Sequence, residues 1–294
     1  MVFSIFRGRW KVERFIVVLL AFLPACSSLL YAPTRVWHLN PTRIGIPYET
    51  VSLDTVNHGR TARIHGWWFR QSAHPRPKGF LLFFHGNGEN RSSHFFSLAW
   101  ILEHGYDFFI FDYAGYGDSD GDPSPESTVT DGMVALRWFF ETGNSPRYHG
   151  VPLIIFAQSL GGAVALRALL EVNESGKIPP GLTKVILDST FVSYQKAGAS
   201  VLSQHWLTFP LQPLSWLLLS DRWAPANKLH SLPKAEYFVI HGEKDRMIQV
   251  RLGQELYDSL PEPKKWFLIP EAGHIQALFV DSGKYRETFL ELLK

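Results

Sequence analysis

The sequence predicts an α/β protein with a mostly parallel sheet and helices on both faces of that sheet. Short, fully apolar runs recur along the chain, as expected for parallel strands buried on both faces. Helical candidates lie between these runs, which is the alternation of a sheet covered by helices. The 294 residues, 46% hydrophobic and 19% charged, suffice for one large domain with a buried core.

The strands and helices are expected in a regular order. Two stretches alternate apolar and polar residues and predict antiparallel strands: Val51–Val56 and Ala62–Phe69. Six apolar runs predict parallel strands: Phe80–Phe84, Phe108–Phe111, Leu153–Phe156, Val185–Leu187, Tyr237–Ile240 and Trp266–Ile269. The intervening helices are expected at His94–Glu103, Glu126–Phe140, Ala163–Glu171, Gln249–Ser259 and Lys284–Leu293.

One aromatic segment, Ala199–Trp223, interrupts this alternation within an insert at about residues 191–230. It carries Trp206, Phe209, Trp216 and Trp223 among many leucines. One interpretation is a pair of helices packed on the core. The other is a helical lid over an apolar pocket, which opens to admit acyl chains or touches a membrane. The amount of aromatic surface favours the lid.

Residues 1–25 have the composition of a targeting segment. Four basic residues (Arg7, Arg9, Lys11 and Arg14) precede the apolar run Phe15–Leu23. The sequence Leu23-Pro24-Ala25-Cys26 then resembles a bacterial lipobox, in which the signal is cut before a cysteine whose thiol is lipidated. An uncleaved membrane anchor over Phe15–Tyr31 is the alternative.

Either interpretation places the domain at a membrane surface outside the cytoplasm. If the lipobox holds, Ser27 and Ser28 after Cys26 lack the aspartate that resembles an inner-membrane retention signal, which favours the outer membrane. Residues 26–49 are expected to form a tether rich in proline and arginine, and residues 50–294 the folded domain. Because much of the positive charge lies near the N-terminus, no basic stripe remains for nucleic acid. A single cysteine leaves no pair for an internal disulfide.

Ser159 stands between a predicted strand and a predicted helix, in Phe156-Ala157-Gln158-Ser159-Leu160-Gly161-Gly162. A serine at such a turn is the nucleophile elbow of an α/β-hydrolase, and small residues on both sides of it let neighbouring chains approach. Alanine replaces the usual first glycine here but keeps the steric requirement. The motif alone is common by chance.

Two further motifs supply the partners that a serine nucleophile needs. Asp245 follows the strand Tyr237–Ile240, and His274 follows the strand Trp266–Ile269. The order serine, acid, histidine is that of this fold, and all three residues fall at the carboxyl ends of parallel strands. We therefore expect Ser159 as nucleophile, His274 as base and Asp245 as the acid that orients it.

Alternatives for these roles are weaker. Glu243 shares the loop of Asp245 but lies closer to the strand. His85 and His241 end strands in His-Gly pairs, where a structural role in the turn is expected. No histidine pair has the spacing of a zinc hydrolase, so we expect no metal.

An ester-cleaving serine also needs backbone donors for the oxyanion. The N–H of Leu160, at the start of the helix, is the first expected donor. The second is expected from the loop His85-Gly86-Asn87-Gly88, from Asn87, with Gly88 as the alternative.

These motifs, together with Asp112-Tyr113-Ala114-Gly115-Tyr116-Gly117-Asp118-Ser119, resemble the α/β-hydrolase family of BEM46 and ABHD12/13/17-type serine hydrolases. The resemblance covers roughly residue 50 to the C-terminus. It implies hydrolysis of carboxylic esters or thioesters, including lipid-like ones, without a cofactor, and a supporting role for residues 112–119. Ala157, Ala114 and Met247-Ile248 depart from the family pattern, which leaves substrate preference open.

The sequence therefore predicts a membrane-tethered serine hydrolase acting on an acyl ester or lipid-like substrate, and no nucleic-acid partner. Two alternatives stay open: a peptidase or amidase of the same fold, and a surface lipoprotein that kept the fold without turnover.

Overall fold

The computed structural model describes residues 30–176, 181–226 and 228–294, and its centre is an eight-stranded sheet. The strand order is β1-β2-β4-β3-β5-β6-β7-β8. Only the β1–β2 and β2–β4 pairs are antiparallel, as the alternating patterns predicted. The strands are β1 Glu49–Asn57, β2 Arg60–Phe69, β3 Gly79–Phe84, β4 Tyr106–Phe111, β5 Leu153–Gln158, β6 Leu182–Asp188, β7 Glu236–Gly242 and β8 Lys264–Ile269.

The core lies on both faces of this sheet because the central strands β3, β4 and β5 are mostly apolar and are buried at every position. In β3, Phe80, Leu82 and Phe84 point into one buried cluster, while Leu81 and Phe83 point into the other. Successive side chains of a strand face opposite ways, so a continuous apolar run fills both layers. The predicted α/β-hydrolase architecture is confirmed.

Helices cover both layers and confirm four of the five predicted helical stretches. They span Arg91–His94, Phe96–Ala99, Pro125–Gly143, Leu160–Glu174, Tyr194–Leu202, Pro213–Leu218, Val250–Ser259 and Arg286–Leu293.

The stretch expected as one helix at His94–Glu103 is instead broken into two short helices and a 3₁₀ turn. Asn90 caps the first helix at Ser92, which starts it before the predicted position. The indole N–H of Trp100 donates to the Ser97 carbonyl, so a side chain competes with the backbone for a carbonyl acceptor in this stretch.

The aromatic insert forms the helices Tyr194–Leu202 and Pro213–Leu218, joined by a 3₁₀ turn at Phe209–Leu211. Many of its large apolar side chains face solvent, with Trp206 77% exposed and Phe209 58% exposed. The interpretation of the segment as core-packing helices therefore fails for these residues. A surface of this kind is typical of a site that meets an apolar partner.

Residues 30–48, most of the expected tether, pack against the domain. Tyr31 is buried, and its hydroxyl lies 3.1 Å from Thr128 Oγ1. Trp37 stacks on Trp67 of β2 with ring centroids 5.3 Å apart. The predicted signal segment and Cys26 lie outside the described residues. Among the helices of the described residues, none has the length and apolarity needed to cross a bilayer.

Candidate active site

Ser159 occupies a tight turn between β5 and the helix Leu160–Glu174. Its backbone has φ 52° and ψ −121°, a region that non-glycine residues rarely adopt. Contacts from β6 and the loop that follows it fix the turn. Ser159 N–H donates to the Asp188 carbonyl at 2.9 Å, and Thr190 Oγ1 donates to the Ser159 carbonyl at 2.5 Å. The turn thus presents the hydroxyl above the sheet edge.

Small residues beside Ser159 are required by the packing of this turn. A Cβ on Gly161 would lie 2.3 Å from the Phe84 carbonyl oxygen and 2.4 Å from that of His85. Ala157, which replaces the usual glycine of this turn, is fully buried in the core cluster, and its methyl group fits there. The alanine therefore leaves the geometry of the turn intact.

The structure brings Ser159, His274 and Asp245 into one hydrogen-bonded chain. His274 Nε2 lies 2.9 Å from Ser159 Oγ, and His274 Nδ1 lies 2.8 Å from Asp245 Oδ2. Ser159 and Asp245 are buried, at 7% and 5% exposure. Nucleophile, base and orienting acid have this arrangement in serine hydrolases on several unrelated folds.

The carboxylate of Asp245 is held from its other side as well. Its Oδ1 accepts the N–H of Ile248 at 2.9 Å. His241 lies beside it and donates its own Nε2 proton to the Ile248 carbonyl at 2.8 Å, which is a structural role in the turn. Glu243, the alternative acid, is exposed and makes no side-chain hydrogen bond to another described residue. Of these two carboxylates, Asp245 is therefore the one that contacts His274.

A second buried carboxylate, Asp188, lies behind this chain and was missed by the sequence analysis. It accepts from Gln158 Nε2 at 2.9 Å and from Ser189 Oγ at 3.0 Å, and Ser189 Oγ in turn accepts the N–H of Ile275 at 3.2 Å. Burial raises the pKa of Asp188, against the opposing effect of these donors. Asp188 ends a buried strand at the same sheet edge, a signal that would have identified it.

Two backbone N–H groups stand beside the serine. Among the described residues, the N–H groups of Leu160 and Asn87 have no hydrogen-bond acceptor, and both residues line the cavity at Ser159. The N–H of Gly88, the alternative donor, is occupied, because it donates to Asn87 Oδ1 at 2.9 Å. The geometry therefore favours Asn87 over Gly88.

Residues 112–119 support the loop after β3 rather than the serine turn directly. Tyr113 donates to the His85 carbonyl at 3.0 Å, and Tyr116 donates to Asn87 Oδ1 at 2.7 Å. Asp112 is buried, pairs with the buried Arg91 guanidinium and accepts its backbone N–H at 2.6 Å. His85 is also buried here, with its Nδ1 2.8 Å from the Gly86 carbonyl oxygen, a structural position within the turn.

A cavity of about 500 Å³ opens at Ser159. Its walls are almost entirely apolar, and no charged side chain of the described residues lines it. Most of the wall comes from the insert, namely Phe191, Tyr194, Ala197, Gly198, Val201, Leu202, Leu211, Leu214, Ser215, Leu218 and Leu219. The insert therefore forms most of the wall of the cavity. Across the described parts of the chain, no three His, Cys, Asp or Glu side chains cluster as metal ligands would.

Comparison with known proteins agrees with this architecture. YfhR of Escherichia coli strain K12 is 32% identical over 251 residues, which cover 84% of this chain and 81% of YfhR. The lysophosphatidylserine lipase ABHD12 of Danio rerio is 29% identical over 203 residues, which cover 66% of this chain and 49% of that protein. The expected resemblance to ABHD12-type proteins is thus confirmed.

Among solved structures, the Pyrococcus furiosus esterase Pf2001 has the same fold. It superimposes with a TM-score of 0.67 over 89% of this chain and 95% of its own, at 22% sequence identity. The family model Hydrolase_4, described as serine aminopeptidase, S33, matches residues 75–231, just over half of the chain. With this match and the similarity to YfhR, the chain belongs to the Hydrolase_4 family of α/β-hydrolases.

Proposed function

We propose that this protein is a serine hydrolase that cleaves carboxylic esters or thioesters with apolar acyl chains. The observation that carries the proposal is the hydrogen-bonded chain Ser159–His274–Asp245 opening directly into an apolar cavity. A strained serine turn with two unoccupied backbone donors has a cost to folding, and such strain is concentrated at functional sites. The names of two similar proteins, an esterase and a lysophospholipid lipase, agree with this class.

Acylation begins when His274 Nε2 takes the proton of Ser159 Oγ. The oxygen attacks the carbonyl carbon, and the negative charge moves to the carbonyl oxygen, where the N–H groups of Leu160 and Asn87 stabilise it. Asp245 accepts a hydrogen bond from the Nδ1–H group of His274 and, remaining ionised, stabilises the imidazolium that forms. When the tetrahedral intermediate collapses, the bond to the leaving group breaks and His274 returns the proton to the departing alcohol or thiol.

Deacylation repeats the same steps with water. His274 takes a proton from the water molecule, whose oxygen attacks the acyl carbon on Ser159. The second oxyanion accepts hydrogen bonds from the same two N–H groups. Collapse releases the carboxylic acid and returns the proton to Ser159 Oγ, so the enzyme is restored without a cofactor.

The walls of the cavity favour an acyl chain over a peptide N-terminus. A peptide with a free amino group carries a positive charge, which needs a carboxylate or several acceptors when it is buried. The described wall has no carboxylate and few polar side chains, whereas an aliphatic chain gains about 0.8 kcal/mol for each methylene it buries. This observation ranks aminopeptidase activity, which the family description names, below ester hydrolysis.

Labelling with a fluorophosphonate probe tests the proposal. Wild-type protein should be labelled, and Ser159→Ala should not. Ser189→Ala is the matched control, because this neighbouring buried serine also sits at a strand end with positive φ but lies behind the site. Folded wild-type protein that resists labelling would overturn the proposal, and faster cleavage of an alanyl anilide than of an octanoate ester would favour the peptidase.

We also propose that the cavity faces a membrane. Leu30, four residues after Cys26 in the sequence, lines the cavity. Three exposed apolar side chains of the insert, Val201, Leu211 and Leu214, line the same cavity. Mass analysis of the mature N-terminus tests the attachment: a lipidated Cys26 supports the lipoprotein, and an intact Met1–Cys26 segment supports the uncleaved anchor.

A further inference from the structure

The N-terminal strap, residues 30–37, crosses the loop that follows β3. Leu30, at one end of the strap, lines the cavity, and the strap then runs past residues 87–90 toward Trp37. Its path is fixed at several points. The N–H of Gly117 donates to the Thr34 carbonyl at 2.9 Å, and Asn90 Nδ2 donates to the carbonyls of Thr34 and Val36 at 3.0 and 2.8 Å. The strap is therefore an ordered part of the domain surface.

The side chain of Asn87 joins this strap to the proposed oxyanion hole. Its Nδ2 donates to the Leu30 carbonyl at 2.5 Å, and its Oδ1 accepts the N–H of Ala32 at 2.8 Å. The same Oδ1 accepts from Gly88 N–H and from the Tyr116 hydroxyl. One amide thus connects three separate segments of the chain.

We propose that the strap sets the position of the Asn87 backbone N–H through the Asn87 side chain, and so completes the oxyanion hole. Asn87 is then a positioning residue through its side chain and a donor through its backbone. This inference rests on the proposed function, since an oxyanion must form for the donor to matter.

The loop needs such an anchor because its backbone is not held by regular structure. Gly88 and Glu89 both have positive φ, 78° and 52°, and residues 85–90 belong to no helix or strand. A donor aids catalysis only when it already points at the developing charge. Displacement of such a group by about 1 Å costs up to a hundredfold in rate. The Asn87 amide restrains the peptide that carries this donor.

The first test is Asn87→Ala in the full chain, which keeps the backbone N–H and removes every side-chain contact. We expect kcat for a p-nitrophenyl ester to fall about tenfold to a hundredfold, with KM little changed. The affinity of an alkyl boronic acid, which forms a tetrahedral adduct on Ser159, should fall by the same factor. Asn57→Ala is the matched control, because Asn57 bridges to Asp122 and does not line the cavity.

The second test acts on the strap and leaves Asn87 in place. Ala32→Pro removes the N–H that Asn87 Oδ1 accepts, and it should lower kcat and boronate affinity together. Val36→Pro is its control, because the N–H lost there donates only to Thr34 Oγ1 of the same strap. All rates are expressed per site labelled by fluorophosphonate, so an unfolded fraction does not enter the comparison.

The outcomes separate this inference from the proposed function. If wild-type protein is neither labelled nor active, the proposed function fails. If wild-type protein is active while Asn87→Ala and Ala32→Pro keep its kcat and its boronate affinity, the strap has no positioning role and the inference is overturned. If Asn87→Ala yields no folded protein, the comparison of Ala32→Pro with Val36→Pro decides.

Discussion

The Nδ1 atom of His274 lies 2.8 Å from Oδ2 of Asp245, with the carboxylate buried between its partners. This contact fixes the tautomer in which Nε2 is free to take the serine proton. Asp245→Asn keeps the shape but replaces an acceptor by a donor, so Nε2 would carry the proton instead. We expect kcat to fall about 10⁴-fold, measured on a p-nitrophenyl ester.

Glu243→Gln is the matched control for this substitution. Glu243 lies in the same loop but is exposed. The activity of Glu243→Gln should stay within about twofold of wild type, because substitutions of exposed residues away from special structural features have small energetic effects. If Glu243→Gln lost more activity than Asp245→Asn, Asp245 would not be the acid of this site.

The sequence was sufficient to predict the positions of these three side chains because each follows a strand. Strands β5, β7 and β8 are short apolar runs, and parallel strands bring their carboxyl ends to one edge. Local spacing therefore becomes spatial proximity without any knowledge of side-chain contacts. The same rule, applied to β6, would have identified Asp188.

The strap and the Asn87 amide could not be predicted in this way. Residues 30–37 carry neither helical nor strand periodicity. Their position depends on individual hydrogen bonds to Asn87, Asn90 and Gly117 and on the packing of two aromatic side chains, Tyr31 and Trp37. Such contacts leave no repeating pattern in the sequence. The expected tether was inferred from proline and arginine content alone, and composition carries no information about which surface a segment packs against.

The cavity wall on the helix Pro213–Leu218 should control the length of acyl chain that is cleaved. Leu218 lines the cavity, and Leu218→Trp would fill part of it. We expect kcat/KM for an octanoate ester to fall about tenfold while acetate is cleaved as before, since each buried methylene contributes about 0.8 kcal/mol. The measurement is a series of p-nitrophenyl esters with acyl chains from two to twelve carbons.

Leu217→Trp is the control, since Leu217 is adjacent on the same helix but 52% exposed and not part of the wall. Its chain-length profile should match that of wild type. Equal losses for acetate and octanoate in Leu218→Trp, or faster cleavage of acetate than octanoate by wild type, would contradict an acyl pocket at this wall.

His94 should make the fold sensitive to mild acid. Burial lowers the pKa of His94 to about 4, with a further contribution from the neighbouring His85 ring. Between about pH 6.5 and 4 the unfolded chain binds a proton that the folded chain excludes, so this residue's contribution to stability falls as pH falls. The unfolding free energy, measured by urea unfolding, should therefore decrease less with falling pH in His94→Gln than in wild type. Substitution of the exposed His58, in His58→Gln, should leave this pH dependence unchanged.

Asp131 should act in the opposite direction. It is buried, accepting Thr55 Oγ1 and the Ala114 N–H, each at 2.8 Å, and burial raises its pKa to about 7. Between about pH 4 and 7 the folded chain holds a proton that the unfolded chain has lost, so this contribution falls as pH rises. The unfolding free energy of Asp131→Asn minus that of wild type should therefore increase with pH, by up to about 1.4 kcal/mol per unit. The exposed Asp258→Asn should show no such slope, and a constant difference for Asp131→Asn would mean that Asp131 stays ionised in the folded protein.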